Sequence, residues 1–242
     1  MNFNLIKLDT IESTNDFAKE IASSDVLKDW TVIWAKEQTK GKGQRGNTWI
    51  SKPNQNLTFT LIASPNIPVD KQFYISKVVS LAIFGFLNKY TENATIKWAN
   101  DLYVGDKKIA GILIENLIQA GKINNSIIGI GININQDNFN ENLPNPISLK
   151  QIANKTFDLE EVLNQIVNEI FIMFQSINNY KLIDNMYNKN LYGLGKQLKF
   201  IDNDAKEFYA KIIDTKETGQ IRLQTQEKIS EYFFNEIKLI LE

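Results

Sequence analysis

Residues 97–115 read KWANDLYVGDKKIAGILIE, the most informative stretch of this 242-residue chain. Mainly apolar runs lie on both sides of a Gly-Asp pair. This arrangement predicts a strand, a tight turn and a second strand within residues 95–116. The stretch therefore predicts a β-hairpin.

Polar residues flank this hairpin. Asn100 and Asp101 stand near its start, and Lys108 follows the turn, shortly before the small pair Ala110-Gly111. A lysine beside two small residues at the entry of a strand can reach into a pocket. Two adjacent lysines such as Lys107 and Lys108 are more often both solvated, so the hairpin alone leaves both interpretations open.

The rest of the chain up to residue 190 alternates strands with helices. Strands are predicted where apolar residues alternate or run together, and helices where they recur at helical spacing. The predicted strands cover 3–11, 31–38, 56–64 and 125–135, and the predicted helices cover 14–23, 71–90, 159–177 and 180–190. Residues 39–48 and 137–149 lack periodicity and are predicted loops.

After residue 190 the sequence changes character. Short alternating segments are separated by turns roughly every 8–12 residues, which is typical of a small closed β-barrel. The chain is therefore predicted to contain two domains, residues 1–190 and 191–242.

The composition restricts the chemistry available to the chain. Cys and His are both absent, so disulfides, thiolate nucleophiles, imidazole bases and most transition-metal sites are excluded. The remaining side chains suit the positioning and charge stabilisation that nucleotide and phosphate chemistry needs.

Charge and hydropathy bear on partners and location. The net charge is −1 and no basic block is present, which argues against general DNA or RNA binding. No apolar run reaches the roughly 20 residues of a membrane span, and the N-terminus lacks the plan of a signal peptide. A cytoplasmic protein is therefore expected.

The loop at 38–49 reads QTKGKGQRGNTW and combines three glycines with three cations. The glycines allow positive φ angles and a close approach of backbone N–H groups to a ligand. Lys42 and Arg45 add positive charge, so the loop is suited to surrounding an anion. An ordinary surface turn is an equally good interpretation of these residues alone, and the P-loop spacing is absent.

Two further motifs have both a structural and a functional interpretation. Ser13, Thr14 and Asn15 lie in ESTND at 12–16 and can cap the following helix, or hold a polar heterocycle. The glycines of GIGININ at 129–135 indicate either tight strand packing or the close approach of a ligand.

Together and in this order, these stretches resemble the biotin protein ligases, also called biotin–[acetyl-CoA-carboxylase] ligases. The resemblance extends from about Leu8 to the C-terminus and is carried by LDTIESTND, EQTKGKGQRGNTWIS, NLTFTL, KWANDLYVGDKKIAGILIE and IIGIGININ. It implies an α/β fold with a mixed, largely antiparallel sheet and flanking helices, as in class II synthetases and biotin ligases, followed by a small SH3-like β-barrel. The motifs start within the first fifteen residues, so a monofunctional type without a DNA-binding domain is expected.

Members of this family make biotinyl-5′-AMP from biotin and Mg-ATP, then transfer the biotinyl group to a lysine of a biotin carboxyl carrier protein. The resemblance therefore implies a ligase that uses ATP and Mg²⁺ and has the carrier domain of a biotin-dependent carboxylase as its partner. No nucleic-acid or membrane partner is implied, and a monomer or homodimer is expected.

The resemblance also assigns residues to roles by motif. The set for biotin is Ser13, Thr14, Asn15, Gln38, Lys42, Gly43, Gln44 and Lys108. The set for the nucleotide is Lys42, Arg45, Asn100 and Asn133. The catalytic pair is Lys108, which bridges the biotin carboxylate and the α-phosphate, and Asp101, which helps to receive the carrier lysine. No protein ligand for a metal is implied.

The glycine loop departs from the usual family pattern GRGRxGRxW. Gln44 stands where the second arginine is usual, and Arg45 occupies the variable position after it. Arg45 can turn inward, to a phosphate or to a carboxylate that fastens the loop, with a two-pronged contact that Lys does not make. It can also be a solvated residue. The inward interpretation is favoured because nearly all the other basic residues of the chain are lysines.

Two alternative functions remain open on the sequence. A lipoate or octanoate ligase shares the catalytic fold, although the polar residues at 13–15 and Gln38 favour a ligand with a ureido ring. A nucleic-acid-binding module built on the C-terminal barrel is the alternative from a different class. The near-neutral charge and the lack of an aromatic and basic stripe argue against it.

Overall fold

In the computed structural model, residues 3–22, 29–141 and 143–241 are described. The strands before residue 190 are β1 (Asn4–Ile11), β2 (Thr31–Gln38), β3 (Leu57–Ala63), β4 (Ile67–Pro68), β5 (Ala94–Lys97), β6 (Asp101–Val104), β7 (Lys107–Gln119) and β8 (Lys122–Ile132). The helices are α1 (Thr14–Ala22), α2 (Phe73–Leu87), α3 (Leu149–Ala153), α4 (Leu159–Phe174) and α5 (Tyr180–Lys189). The strands after residue 190 are β9 (Gln197–Asp202), β10 (Glu207–Thr215), β11 (Ile221–Gln224), β12 (Ile229–Tyr232) and β13 (Ile237–Ile240).

The first sheet is mixed and largely antiparallel, as expected. Its strands lie in the order β1-β2-β3-β8-β7-β6-β5, and the short β4 pairs with β8. Only β1 and β2 pair in parallel, because α1 connects them as a crossover, while all the other neighbours are antiparallel. The expected α/β fold class is confirmed.

Strand β8 shows how the two faces of this sheet differ. Ile128, Ile130 and Ile132 belong to the main core, which also contains buried residues of α2 and α4. Gly129 and Gly131 alternate with these isoleucines, so they lie on the opposite face. Helix α1 packs on that opposite face, and the space beside it remains open.

The hairpin predicted over 95–116 is a three-stranded meander, so that prediction was wrong in its strand count. The turn at 105–106 joins β6 to β7, as expected, but residues 98–100 separate β5 from β6. The backbone of Asn100 accepts a hydrogen bond from the N–H of Ile112 at 2.9 Å, and its side-chain amide donates to the carbonyl of Ile112 at 2.9 Å. These bonds hold a turn that strand propensity does not indicate.

Helix α3 begins at the last residue of the predicted loop 137–149 and was missed. It has a capping box, in which the side chain of Ser148 accepts from the N–H of Gln151, and the side chain of Gln151 accepts from the N–H of Ser148. Its five residues are too few for a helical repeat of apolar positions to show in the sequence.

The second sheet consists of five antiparallel strands in the order β12-β11-β10-β9-β13. This arrangement agrees with the expected SH3-like unit, although no pairing among the described residues joins β12 to β13. No described helix is long and apolar enough to cross a membrane.

A buried lysine helps to dock the second sheet onto the helices. Lys77 of α2 is fully buried, and its ammonium lies 2.5 Å from Asp184 Oδ1 of α5 and 3.3 Å from the carbonyl oxygen of Lys216 in the turn after β10. Asp184 also accepts from the hydroxyl of Tyr74 at 2.8 Å. Burial lowers the pKa of Lys77, against the opposing effect of Asp184.

Candidate active site

A cavity of about 1200 Å³ opens on the α1 face of the first sheet and extends to the second sheet. Every residue that the sequence assigned to the site lines this cavity. These residues are Ser13, Thr14, Asn15, Gln38, Lys42, Gly43, Gln44, Arg45, Asn100, Asp101, Lys108 and Asn133. They come from four separate stretches of the chain, 13–15, 38–45, 100–108 and 133, which the sheet topology brings together.

Glycines form the floor of the cavity. A Cβ atom at Gly129 would lie 2.3 Å from Asn15 Oδ1, and one at Gly131 would lie 2.3 Å from Cε2 of Trp49. At Gly111, which pairs with Gly131 across β7 and β8, a Cβ would lie 3.2 Å from Cζ3 of Trp49. The glycines are therefore required because Asn15 and Trp49 approach the sheet closely.

Buried polar side chains occupy one end of the cavity. Gln38 Oε1 accepts from the backbone N–H of Thr14 at 2.7 Å and from its hydroxyl at 3.0 Å. Ser13 caps α1, since its hydroxyl oxygen accepts from the N–H of Asp16 at 3.3 Å. Ser13, Thr14 and Asn15 are each buried. This end therefore presents neutral hydroxyl and amide groups that are fixed by one another.

Two residues of this polar cluster were not anticipated. The hydroxyl of Thr60 in β3 lies 2.8 Å from Thr14 Oγ1 and 2.6 Å from Asn15 Oδ1. Asn15 Nδ2 donates to Glu115 Oε2 of β7 at 3.0 Å. The residues next to a single threonine or glutamate in a strand do not indicate such a contact. Thr60 and Glu115 could therefore not be predicted from the sequence.

Lys108 and Asp101 form an ion pair in the wall of the cavity. Lys108 Nζ lies 2.7 Å from Asp101 Oδ1, and both side chains are mainly covered. The Lys108 ammonium also lies 5.8 Å from the centroid of the Trp49 ring, above the glycine floor. The carboxylate thus fixes a cation beside the open part of the cavity, where an anionic ligand can reach it.

Asn100 and Asn133 use their side-chain amides to hold the backbone around the cavity. Asn100 fixes the turn before β6, as described above. Asn133 Nδ2 donates to the carbonyl of Ile147 at 3.1 Å, and the N–H of Lys108 donates to the carbonyl of Asn145 at 2.7 Å. The second half of the loop at 137–149 is therefore tied to the strand that carries Lys108.

Two cations of the glycine loop contact other parts of the molecule. Lys42 Nζ lies 2.6 Å from Asp16 Oδ2 of α1, and this contact lowers the pKa of Asp16. The guanidinium carbon of Arg45 lies 5.3 Å from the centroid of the Phe234 ring, in the turn after β12. Arg45 adopts a left-handed backbone conformation with φ of 56°. In this structure Arg45 therefore contacts an aromatic ring, which neither interpretation of the sequence foresaw.

The cavity has a strong excess of positive charge. Among the described residues that line it, the cations are Lys42, Arg45, Lys97, Lys108 and Lys238. Asp101 is the one carboxylate in that lining. No group of three or more Asp and Glu side chains among the described residues could hold a metal ion. The cavity is therefore suited to an anionic ligand that brings any metal with it.

The comparisons with known proteins agree with one another. The family model described as "Biotin/lipoate A/B protein ligase family" matches residues 8–133. The chain is 28% identical to the bifunctional ligase/repressor BirA of Bacillus spizizenii over 99% of this chain and 75% of that protein. It is 32% identical to the biotin–[acetyl-CoA-carboxylase] ligase of Paracoccus denitrificans over 51% of each chain. Its fold is similar to that of the Aquifex aeolicus biotin protein ligase in complex with biotin and ATP, with a TM-score of 0.81, 26% identity and 99% of both chains covered.

Proposed function

Because the chain belongs to the biotin/lipoate A/B protein ligase family, we propose that it activates biotin with ATP and transfers the biotinyl group to a lysine of a carrier protein. The product of the first step is biotinyl-5′-AMP. The acceptor is the biotin carboxyl carrier domain of a biotin-dependent carboxylase.

One observation carries this proposal. A single cavity joins a neutral polar end, around Thr14 and Gln38, to a cationic wall around Lys108. Biotin has the same polarity, with a neutral ureido ring at one end and a carboxylate at the other. A bound biotin therefore places its ring in the buried polar cluster and its carboxylate next to Lys108.

In the first step, two anions must come together. A carboxylate oxygen of biotin forms a bond to the α-phosphorus of ATP, and the bond from that phosphorus to the bridging oxygen breaks, so that pyrophosphate leaves with the electron pair. Lys108 offsets part of the negative charge of both anions, and the pairing with Asp101 holds its ammonium in place. Fixed charge of this kind stabilises the developing charge without reorganisation during the reaction.

In the second step, the amine of the carrier lysine attacks the carbonyl carbon of the adenylate. The bond from that carbon to the phosphate oxygen breaks, and AMP leaves. Asp101 is the carboxylate of the cavity lining, so we assign it to receive the incoming ammonium and to accept its proton. Asn133 and Asn100 border the nucleotide side and shape it through the backbone that they hold.

We assign Mg²⁺ to the nucleotide. The described residues of the cavity lining include several cations and a single carboxylate, which is the wrong donor set for a resident divalent ion. Phosphate oxygens of ATP supply the ligands that this ion prefers. The metal then enters and leaves with the phosphates.

We also propose that residues 1–190 form the catalytic unit and that residues 191–242 complete its cavity. Residues of β9 and β13 line the cavity beside the first sheet. Trp98 Nε1 donates to the carbonyl of Gly219 at 2.9 Å, and Ile96 forms a bridge to Leu191. These contacts support a second sheet that acts as a wall of the site.

A lipoate or octanoate ligase of the same family is the second candidate, since the family model includes lipoate ligases. The far end of those ligands is an apolar chain or a dithiolane ring. The cavity instead ends in buried hydroxyl and amide groups, which would lose hydrogen-bonding partners against an apolar group. This observation favours biotin.

The test is incubation of the purified chain with Mg-ATP, a biotin carrier domain and either biotin or lipoate. A mass increase of the carrier by one biotinyl group is expected with biotin, and none with lipoate. A carrier variant that lacks its acceptor lysine is the control. Modification with lipoate alone would move the assignment to the second candidate.

A further inference from the structure

Lys97 is a cation of the cavity wall that the proposed steps do not use. It is the last residue of β5 and lies directly opposite Asp101 in the pairing of β5 with β6. Directly opposed residues project from the same face of a sheet. The carboxylate of Asp101 is held by Lys108 at 2.7 Å, whereas Lys97 forms no ion pair with any described residue. Its ammonium lies 5.2 Å from the centroid of the Tyr103 ring.

The surroundings of Lys97 oppose its charge. Burial lowers the pKa of Lys97, and the nearby ammonium groups of Lys108 and Lys238 act in the same direction, while Asp101 opposes them. Burying the charge of Lys97 without a neighbouring anion costs free energy. An anion that enters beside Lys97 removes that cost, so the wall favours anion binding.

Lys238 reaches the same place from the other sheet. It lies in β13, opposite Ile201 of β9, and lines the cavity as an exposed residue. It forms no ion pair with any residue in the described part of the chain. Lys97 and Lys238 therefore lie in two separate sheets and face one region of the cavity. They are present in addition to the ion pair of Lys108 and Asp101.

We propose that Lys97 and Lys238 form a subsite for the pyrophosphate portion of the nucleotide. The inference rests on the proposed function, in which Lys108 stands at the α-phosphate. The β- and γ-phosphates then occupy the region beside the two remaining cations. Charge accumulates on these phosphates as the bond to the α-phosphorus breaks, so the subsite stabilises the leaving group. Two lysines act as flexible point charges, which suits a group that must depart afterwards.

The experiment separates the two steps of the reaction. Initial rates of adenylate formation are measured against ATP, with and without inorganic pyrophosphate as an inhibitor. Transfer to the carrier domain is then measured from supplied biotinyl-5′-AMP, a step that involves no pyrophosphate. The variants are Lys97→Met and Lys238→Met, and the control is Lys107→Met, at an exposed lysine at the start of β7.

Lys97→Met is expected to raise both the KM for ATP and the inhibition constant of pyrophosphate by about tenfold, since a charge-assisted contact is lost. Lys238→Met is expected to raise both by about threefold, because its exposed charge is screened. Transfer from supplied adenylate should stay at the parental rate in both variants. Lys107→Met should match the parent in every measurement.

Three outcomes would overturn the subsite. The first is an unchanged inhibition constant of pyrophosphate in Lys97→Met. The second is a loss of transfer from supplied adenylate equal to the loss of adenylate formation, which would indicate a general structural role. The third is a parental chain that forms no adenylate at all, which would overturn the proposed function as well.

Discussion

The guanidinium carbon of Arg45 lies 5.3 Å from the centroid of the Phe234 ring and so connects the glycine loop to the second sheet. On the other side, Lys42 connects the same loop to Asp16 of α1. Residues 42–45 and 47–49 of the loop line the cavity. The position of the loop therefore depends in part on contacts with residues far from it in the chain.

Weakening the contact between Arg45 and Phe234 is expected to loosen the loop. Phe234→Leu removes the ring on which the guanidinium rests, a contact worth about 0.5–1 kcal/mol at an exposed site. Faster amide hydrogen exchange within residues 43–47 and a several-fold shorter retention of biotinyl-5′-AMP are expected. Phe233→Leu is the matched control, since Phe233 is similarly exposed but does not line the cavity.

The role of Arg45 in the liganded protein stays a prediction. Arg45→Lys keeps the charge and removes the planar fork. If Arg45 turns to a phosphate when the adenylate is bound, this variant loses retention several-fold while Phe234→Leu does not. If both variants lose retention equally, the contact with Phe234 persists in the liganded state.

Lys108→Ala is expected to slow adenylate formation by about 10²–10³-fold with the fold intact. The reason is that two approaching anions lose their fixed cation, an effect of the size found when one stabilising donor is removed. Single-turnover formation of biotinyl-5′-AMP is the measurement, and Lys107→Ala is the control. A rate within threefold of the parent would contradict the central position of Lys108.

Gly131→Ala is expected to weaken biotin binding by about tenfold or more. The added methyl group would lie 2.3 Å from Cε2 of Trp49, so the indole must shift over the cavity floor. Isothermal titration with biotin measures the effect. Gly85→Ala, at an exposed helical position with no atom within 4 Å of the new methyl group, should bind biotin normally and gain roughly 0.5–1 kcal/mol of stability. Equal affinities in the two variants would show that the floor tolerates bulk.

Lys77→Ala is expected to lower the free energy of unfolding by about 3 kcal/mol. The variant breaks a buried ion pair with Asp184 and removes the aliphatic stem that packs among Phe73, Tyr74 and Tyr187. Urea unfolding measures the loss. Lys89→Ala, which breaks a more exposed pair with Glu169, should cost less than about 1 kcal/mol. Similar losses in the two variants would argue that Lys77 does not help to dock the second sheet.

Stability at acid pH is expected to depend on Asp16. The hydrogen bond from Lys42 lowers the pKa of Asp16 in the folded protein. A carboxyl group with a depressed folded pKa stabilises the fold above its unfolded pKa, about 4, and loses that contribution as the pH falls through the folded value. Asp16→Asn should therefore flatten the fall in stability below about pH 4. Acid titration of tryptophan fluorescence measures this, with the exposed Asp204→Asn as control.

Much of the fold follows from local patterns in the sequence. A continuous apolar run predicted the bounds of β2, and similar patterns placed β1 and β3 to within a residue. Helical spacing located α2, α4 and α5. Two short elements were not predicted from the sequence, for a physical reason. The five residues of α3 and the turn at 98–100 are held by side-chain hydrogen bonds of Ser148 and Asn100, which override propensity.

The residues of the candidate site also fall into two groups, those recognisable from the sequence and those that only the folded chain reveals. Ser13, Thr14, Asn15, Gln38 and Lys108 were recognisable because each lies in a motif of neighbouring residues, and the structure brings them to one cavity. Their roles toward ligands remain predictions. Thr60, Phe234 and Lys238 carry no such local signal, because each gains its place only through a contact with a residue far away in the chain.

The sequence by itself thus determined the chemistry that is available, a cavity without thiol or imidazole that depends on lysine, amide and hydroxyl groups. Tertiary structure alone decided which cations are neutralised. Lys108 and Lys42 meet carboxylates, whereas Arg45 and Lys97 meet aromatic rings. The physical reason is that charge–charge energies depend on distance and burial, which only the folded chain fixes.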